Sequence, residues 1–461
     1  MFLPPLHGLL FIGTSSLKSH QAALAVTAHN IANTNTEGFT RQRVGLESEK
    51  PITNIPGDLG LGIRVTDIKR MRDIFLDGSV RLEIGQQSKY DKTSQSLVAL
   101  ETGLGNLNSQ NIGTGLTAFF NSFHDLSSAP EDLSVRKNVA VQGASLADFF
   151  HDAVGNINRL NSGLDAETDQ TALDINSILD RIAVLNKEIS REELGNQNNA
   201  NDLRDKRDLL LDKLSAYADL SVVEQSNHMI DVTVNGELLV SGQDAFAVQV
   251  DTGGTHPQIL SSGGGSLVTS GGILAGLADA YQKNDDTRAS LDDLAATLIT
   301  EVNNRHASGF DLNGDGGGDF FDGTDAATIA VNATVAGDPA KVVAAGSASP
   351  GNNDVALLMV QLQDTKIFPS GIASATFNEG FRNLVVGLGS DARQATDLAG
   401  THGAAADQIK EQRQSTNGVN MDEELTNMIS YQRAYQAAAR VVTIVDEAMD
   451  TIINRMGRVG L

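Results

Sequence analysis

The sequence contains no cysteine and no tryptophan among its 461 residues. Without cysteine there is no disulfide framework and no thiolate metal site. Such a chain suits a protein handled unfolded and then exposed to an oxidising exterior. Basic residues are also in short supply, 34 Lys and Arg against 58 Asp and Glu, for a net charge of −24. That balance argues against nucleic acid and against an anionic membrane as partners. The acidity is spread along the chain, as on a solubilising surface. No apolar run approaches the ~18 residues of a membrane span. The short patch Leu9-Leu10-Phe11-Ile12 lacks the basic flank and small-residue cleavage site of a secretory signal, so export, if it occurs, is expected by another route. The histidines form no H-x-H or H-x-x-x-H pair, and there is no H-E-x-x-H, G-x-S-x-G or Walker A glycine–lysine. Nothing points to an enzyme or to a cofactor.

What is present is helical pattern, most strongly over Asn417 to Gly457. Asn420 is a good N-cap, and Glu423 stands where a capping-box carboxylate belongs. Asp422, Glu423 and Glu424 fill the first turn, Arg455 and Arg458 flank the last, and Gly457 is the expected stop. Between them runs the seam Met428, Tyr431, Tyr435, Ala438, Val442, Val445, Met449, Ile452 and Met456. Its alternating spacings of three and four hold for about four heptads, which predicts a coiled-coil helix in need of a partner. At ~1.5 Å per residue the helix is about 50 Å long. A weaker seam, Leu6, Leu10, Gly13, Leu17, His20, Leu24, Thr27 and Ile31, opens the chain. Pairing the two would bring the ends together and make everything between them an insertion.

The fold class expected is mainly α with smaller β parts, in nested discontinuous domains. Residues 1–70 plus 412–461 form a terminal coiled-coil assembly domain with an extended, turn-rich linker over 34–70. Residues 71–220 plus 271–307 plus 351–411 form a bundle of long helices, with seams at Val135 to Leu164, Ile175 to Ile189 and Leu203 to Tyr217 separated by short polar loops. Residues 221–270 plus 308–350 form a small outer β-rich domain. Its hairpin is marked by Asn235-Gly236, which suits a type I′ turn, while Gly263-Gly264-Gly265 reads as a linker.

Two stretches fit a loose G-x-G-x-x-A pattern, Gly113 to Ala118 and Gly387 to Ala392. The surroundings are helical rather than βαβ, so breaks between helices are expected there. Asp311, Asn313, Asp315, Gly316, Asp319 and Asp322 fall at loop positions 1, 3, 5, 6, 9 and 12 of an EF-hand, an oxygen spacing that can wrap calcium. Asp rather than Glu at position 12 and Gly318 at position 8 count against that, so an acidic glycine-rich turn is expected, no metal site is assigned, and calcium is the alternative.

Two further stretches carry a resemblance. His29-Asn30-Ile31-Ala32-Asn33-Thr34-Asn35-Thr36-Glu37-Gly38-Phe39-Thr40-Arg41-Gln42 resembles the N-terminal signature of the bacterial flagellar axial proteins. Gly418 to Leu425, continuing through Tyr431-Gln432-Arg433-Ala434-Tyr435 to Asp450, resembles their C-terminal signature. Within that group, Leu185-Asn186-Lys187-Glu188-Ile189, Ala200 to Asp208 and Gly309 to Phe321 resemble the hook-associated proteins of the hook–filament junction. Hook or distal-rod proteins are the alternative, and the helical block at 85–215 argues against them. The resemblance implies a self-assembling structural subunit at the distal end of the hook, secreted unfolded by the flagellar type III export apparatus and extracellular once assembled. It implies hook protein, a second hook-associated junction protein and an export chaperone at the C-terminal helix as partners. It also implies terminal helices that order on assembly. The candidate assembly residues are Leu10, Leu17, Leu24, Asn30, Ile31 and Asn33 at one end, and Met428, Tyr435, Val442, Val445, Met449 and Ile452 at the other.

Overall fold

A computed structural model describes residues 6–54, 57–105, 110–194, 199–349, 351–370 and 373–452. The expected stop at Gly457, its flanking Arg455 and Arg458, and the seam residue Met456 lie outside them.

The N-terminal seam folds as α1 (Leu6–Ala32). The turn-rich linker is β1 (Gln42–Ser48), β2 (Ile52–Asn54), β3 (Gly57–Leu59) and β4 (Ile63–Arg70), with β1 antiparallel to β4 and β2 to β3. This hairpin lies along α1, where Ser19 Oγ donates to Ile63 O at 3.1 Å. Gly62 makes the approach possible: its φ is +94°, and a Cβ there would sit 3.3 Å from the Ile12 backbone.

The helical body follows. It comprises α2 (Ile74–Gly103), α3 (Ile112–Ser128), α4 (Leu133–Glu193) and α5 (Asn201–Ser215), then α6 (Gly272–Ala307), α7 (Ala333–Gly337), α8 (Asp354–Asp364) and α9 (Phe377–Asn417). Caps set many of these boundaries. Asp73 accepts from Phe75 N and Leu76 N, and Asn111 and Thr376 each form a capping box. At 61 residues α4 is about 90 Å long at ~1.5 Å per residue. It joins the seams at 135–164 and 175–189, expected as separate helices, into one. The polar stretch between them supplies no breaker: Thr168 and Thr171 are buried, and Thr168 Oγ1 bonds back to Leu164 O at 2.8 Å.

Three apolar clusters follow one another along α4. The first packs α3, the N-terminal half of α4, α6, α8 and α9 around Phe119, Phe120, Phe123 and Phe150. A small second one joins Leu164 to Leu277, Ala280 and Tyr281 of α6. The third sets the C-terminal half of α4 and α5 against a sheet of β5 (Leu220–Glu224), β6 (Ile230–Val234), β7 (Glu237–Ser241) and β8 (Asp244–Ala245), in that order. The pair β9 (Gln249–Asp251) and β10 (Gln258–Leu260) packs on the same cluster.

The expected union of 221–270 with 308–350 in one outer domain is not what the packing shows. Residues 308–349, with β11 (Phe321–Asp322) and β12 (Ala330–Val331), bury Phe320, Phe321, Ile329, Val335 and Val342 in the first cluster. The Phe320 ring lies 5.5 Å from Phe119 and 4.8 Å from Phe321. A few large apolar residues outweigh a Gly- and Asp-rich composition, because buried area decides the docking. Nor is 263–265 a linker. It is a tight turn closed over Glu237, with Ser261 Oγ donating to the Glu237 carboxylate at 2.6 Å and Gly264 at φ +85°. The Gly387–Ala392 stretch runs unbroken inside α9, and Gly113 to Ala118 lies within α3, where a Cβ on Gly115 would fall 2.7 Å from the Phe149 ring. Near the end of the described chain, β13 (Phe368–Ser370) pairs with β14 (Ala373–Ala375), and α9 then leads through Gly418 to α10 (Met421–Asp450).

The hairpin at Asn235-Gly236 has φ of +49° and +82°, as a type I′ turn requires. Gly236→Ala should therefore cost about 1 kcal/mol, the usual penalty for a Cβ in the left-handed region. A urea titration of the purified chain would show it, and an unchanged midpoint would count against that turn geometry.

Candidate functional site

The two terminal seams meet. α1 and α10 run antiparallel: Gly13 faces Val442, His20 lies 6.3 Å ring to ring from Tyr431, and Asn30 bonds Glu424. On α10 the residues turned toward α1 recur every seven positions, as Glu424, Tyr431, Ala438 and Val445. Glu424, Ala438 and Val445 are buried and Tyr431 is half-buried. Met428, Val442 and Met449 sit half-buried at the edge of this contact, while Tyr435 and Ile452 are exposed. On α1 the buried positions are Gly13, Ser19, Ala23, Val26, Thr27 and Asn30. Leu10, Leu17, Leu24 and Ile31 are half-buried beside them. Small side chains line the contact because helix separation follows the residues between the axes. A Cβ on Gly13 would stand 2.7 Å from Val442 Cγ2. Asn33 ends α1, its Nδ2 donating to His29 O at 3.0 Å and its Oδ1 accepting from Thr36 Oγ1 at 3.1 Å.

At the body end of this pair, three stretches far apart in sequence converge: 29–42, 199–212 and 417–424. Asn30 Oδ1 accepts from Gln42 N at 3.0 Å, while Asn30 Nδ2 donates to Gln42 O at 2.8 Å and to Glu424 Oε2 at 3.1 Å. Gln42 Nε2 donates to Asp202 at 2.8 Å, and Thr40 N donates to Asp205 at 2.8 Å. Asn201 Nδ2 donates to Ile68 O at 2.9 Å. The Arg41 backbone ties α9 to the hairpin, its N donating to Asn417 O and its O accepting from Met71 N, both at 2.8 Å. Its guanidinium reaches Glu424 at 2.7 Å and Glu423 at 2.9 Å. Glu423 thus caps Arg41 rather than closing a capping box, and Asn420 alone accepts from the first-turn amides of α10.

Behind this lies an arginine–aspartate lattice. Arg70 bridges Asp205 and Asp208 at 2.7 Å each, and Arg72 pairs with Asp77 and Asp208. Arg81 pairs with Asp212 at 2.7 Å, and Arg413 joins Asp212 and Asp77 at 2.8 and 3.3 Å. The hydrogen bond to Glu423 holds Arg41 above its ordinary pKa, and the same bond holds Glu423 below the usual carboxylate range. Burial pushes Asp205 up despite Arg70. For Arg413 burial works against the charge, and Asp212 and Asp77 outweigh it. A joint so densely paired fixes the direction in which the terminal helices leave the body.

Sequence reasoning missed Arg41, Gln42, Glu424 and the aspartates of α5 as a connected set. One signal was there: Glu424 continues the Tyr431–Ala438–Val445 heptad backwards, and a carboxylate on an apolar stripe calls for a buried partner.

The acidic loop does not gather its oxygens around a cation. Asp311 Oδ1 accepts from Asn313 N and Asp315 N at 2.8 and 2.9 Å, an Asx-type turn. Lys341 Nζ lies 2.8 Å from both Asp311 and Asp315, a position a cation would compete for. Asp322 accepts from Asn332 instead. Among the described residues no group of three or more His, Asp or Glu is placed to hold a metal ion, and no helix is long and apolar enough to cross a membrane.

The chain matches the family model of the flagellar hook-associated protein FlgK helical domain over residues 97–321. It matches that of the flagella basal body rod protein over 10–40, and that of the flagellar basal body rod FlgEFG protein C-terminal region over 410–456. The first segment runs from the end of α2 to β11 and takes in the β5–β10 strands, the second contains most of α1, and the third contains α10. The chain is 31% identical to the flagellar hook-associated protein 1 of Bacillus subtilis, across 96% of this chain and 97% of that protein. It is 24% identical to the Escherichia coli protein of the same name, across 95% and 98%. A solved structure, that of the flagellar hook junction protein FlgK from Burkholderia pseudomallei, superposes with a TM-score of 0.63 at 16% identity, covering 73% of this chain and 100% of that one.

Proposed function

The chain belongs to the flagellar hook-associated protein 1 family and is a structural protein of the flagellum at the hook–filament junction; we propose that it enters this assembly through its terminal helices and performs no catalysis. One observation carries the proposal. The α1–α10 pair leaves large apolar side chains in solvent on faces turned away from its own contact, including Phe11 (48% exposed), Ile429 (52%) and Ile444 (64%). Apolar surface of this kind on an otherwise acidic chain marks a site of association.

Copies of the pair would pack side by side, with Leu10, Leu17, Leu24, Ile31, Met428, Tyr435, Val442, Val445, Met449 and Ile452 divided between the contact inside one subunit and those between subunits. Asn30 and Asn33 would set the angle of the pair at the joint. Hook protein would lie on one side and a second hook-associated protein on the other. Before assembly the same C-terminal seam would be covered by an export chaperone, and the chain would pass unfolded through the flagellar type III apparatus to the cell exterior. The absence of cysteine fits such a route.

Ile444→Asp tests this reading. The side chain is exposed, so monomer stability should move by no more than about 0.5 kcal/mol. Cells carrying only this variant should build hooks and no filaments. Normal filaments would overturn the role of the terminal pair. Loss of the hooks themselves on deleting the gene would favour a hook or rod subunit instead.

A further inference from the structure

A cavity of about 1060 Å³ opens beside the joint, between α2, α5 and β5. Its walls are of two kinds. Ile74 and Leu82 on α2 are 83% and 52% exposed, and Phe75 next to them is 79% exposed. Across from them lie Leu220 and Val222 of β5, an edge strand paired with β6 alone among the described strands. The cavity is also lined by Arg204 and Arg207 and by the carboxylates of Asp77, Asp208, Asp219 and Glu224, of which Asp77 and Asp208 are held by Arg72, Glu224 by Arg204, and Asp219 by Ser270 and the Gly271 amide.

Arg207 is the unusual group. It is 2% exposed, and both of its hydrogen bonds leave from Nη1, to Asn186 Oδ1 and His228 O at 2.9 Å each. Its Nε is buried without a partner. Among the described residues no carboxylate stands within ion-pair distance of it, whereas Arg70, Arg72, Arg81, Arg204 and Arg413 each have one or more. Burial lowers its pKa to about 10, neighbouring Arg204 adds to the effect, and the more distant Glu224 carboxylate offsets only part of it. A buried guanidinium served only by neutral acceptors is under-compensated, and a carboxylate entering the cavity would complete it.

We propose that this cavity receives a carboxylate-bearing, apolar-flanked segment of a second copy of the chain, with the acid directed at Arg207 and apolar side chains covering Ile74, Phe75 and Leu82. The inference rests on the self-assembly read above. An inorganic anion would leave the three exposed apolar residues uncovered. A second copy supplies both parts, since the chain carries 58 Asp and Glu. Arg70, Arg72 and Asp208 of the joint line the same cavity, so a segment seated there would brace one subunit's joint against the next subunit.

The test is photo-cross-linking in assembled flagella, with a photoreactive phenylalanine analogue placed in the full chain at Ile74, Leu82 or, as reference, Ile444. Ile74 and Leu82 should each yield a covalent dimer of this chain in assembled flagella and none in the secreted monomer. Arg207→Gln should lower the Ile74 dimer at least about fivefold while leaving the Ile444 dimer unchanged. Should Arg207→Gln fail to fold, exposed Leu82→Asp replaces it, with the same loss expected. A dimer from Ile444 with none from Ile74 or Leu82 would overturn this inference alone, as would cross-links from them only to a hook or filament subunit. No dimer from any position would overturn both this inference and the assembly reading.

Discussion

Arg41→Ala should loosen the terminal helix pair from the body by about 3 kcal/mol, without shifting the main unfolding transition. The Glu424 side chain is 3% exposed and its carboxylate has two partners, Arg41 Nη2 at 2.7 Å and Asn30 Nδ2 at 3.1 Å. Removing the guanidinium leaves a buried negative charge on a single neutral donor. Breaking a buried pair from one side costs about 3–5 kcal/mol. The lower figure applies here because the Arg41 side chain is itself 20% exposed and water reaches it. The second carboxylate, Glu423, is exposed and adds little. The loss should be local, because α1 and α10 contribute no residue to the three apolar clusters of the body. Hydrogen exchange should therefore quicken in the last turns of α1 and the first turns of α10, with the melting of the body unchanged. Adding Glu424→Gln should restore most of the protection, since a neutral amide can still bond Asn30 and needs no counter-charge. Unchanged exchange in Arg41→Ala, or no recovery in the double variant, would show that the pair does not carry the joint.

The parts of this architecture that are local in sequence were legible there. Alternating threes and fours marked α10, Asn420 marked its start, and Asn235-Gly236 marked the β6–β7 turn, because each is a short-range consequence of helix or hairpin geometry. The buried side of α1 was only partly legible. Gly13 and Thr27 of the seam are buried, but its large residues Leu10, Leu17, Leu24 and Ile31 are half-buried, and Ser19 and Ala23, which lie off the seam, are more deeply buried than they are. Hydrophobic pattern finds a face, whereas the closeness of the partner selects the small residues within it. The joint was harder still. Its hydrogen bonds link Asn30 to Glu424 and Thr40 to Asp205, pairs 394 and 165 positions apart. No periodicity spans such intervals. Composition misled at 308–350, where Phe320 and Phe321 dock among the aromatics of α3 although their neighbours are Gly and Asp. At 311–322 the spacing allowed a metal while Asp322 and Gly318 counted against one, and what the sequence did not show is that Lys341, remote in sequence, supplies the positive charge.

Acidification from pH 6.5 to about 4 should remove about 3 kcal/mol of stability through His306 alone. This residue is fully buried at the end of α6. Its Nε2 accepts from Val343 N at 2.9 Å, so the proton sits on Nδ1, which donates to Gly318 O at 2.6 Å. Protonation would set a second N–H against the Val343 amide in a dry site. Burial therefore lowers the pKa from 6.5 to about 4, with Arg136 in the same direction and the bond to Gly318 and nearby Asp319 opposing. The folded value lies below the unfolded one, so the unfolded chain takes up the proton first. The stabilisation is complete above pH 6.5 and is lost progressively as pH falls toward 4, at ~1.4 kcal/mol per pH unit. His20, between α1 and α10, is also lowered by burial and acts with the same sign, so a variant is needed to separate the two. His306→Gln should be less stable at pH 7, having lost a well-packed ring. Its stability should then fall less steeply over this range, by up to about 3 kcal/mol in total. Denaturant titrations at pH 7, 6, 5 and 4 on both proteins would give the two slopes. Equal slopes would mean that His306 does not hold the 308–345 segment in its neutral form, and that acid acts on this protein through its carboxylates.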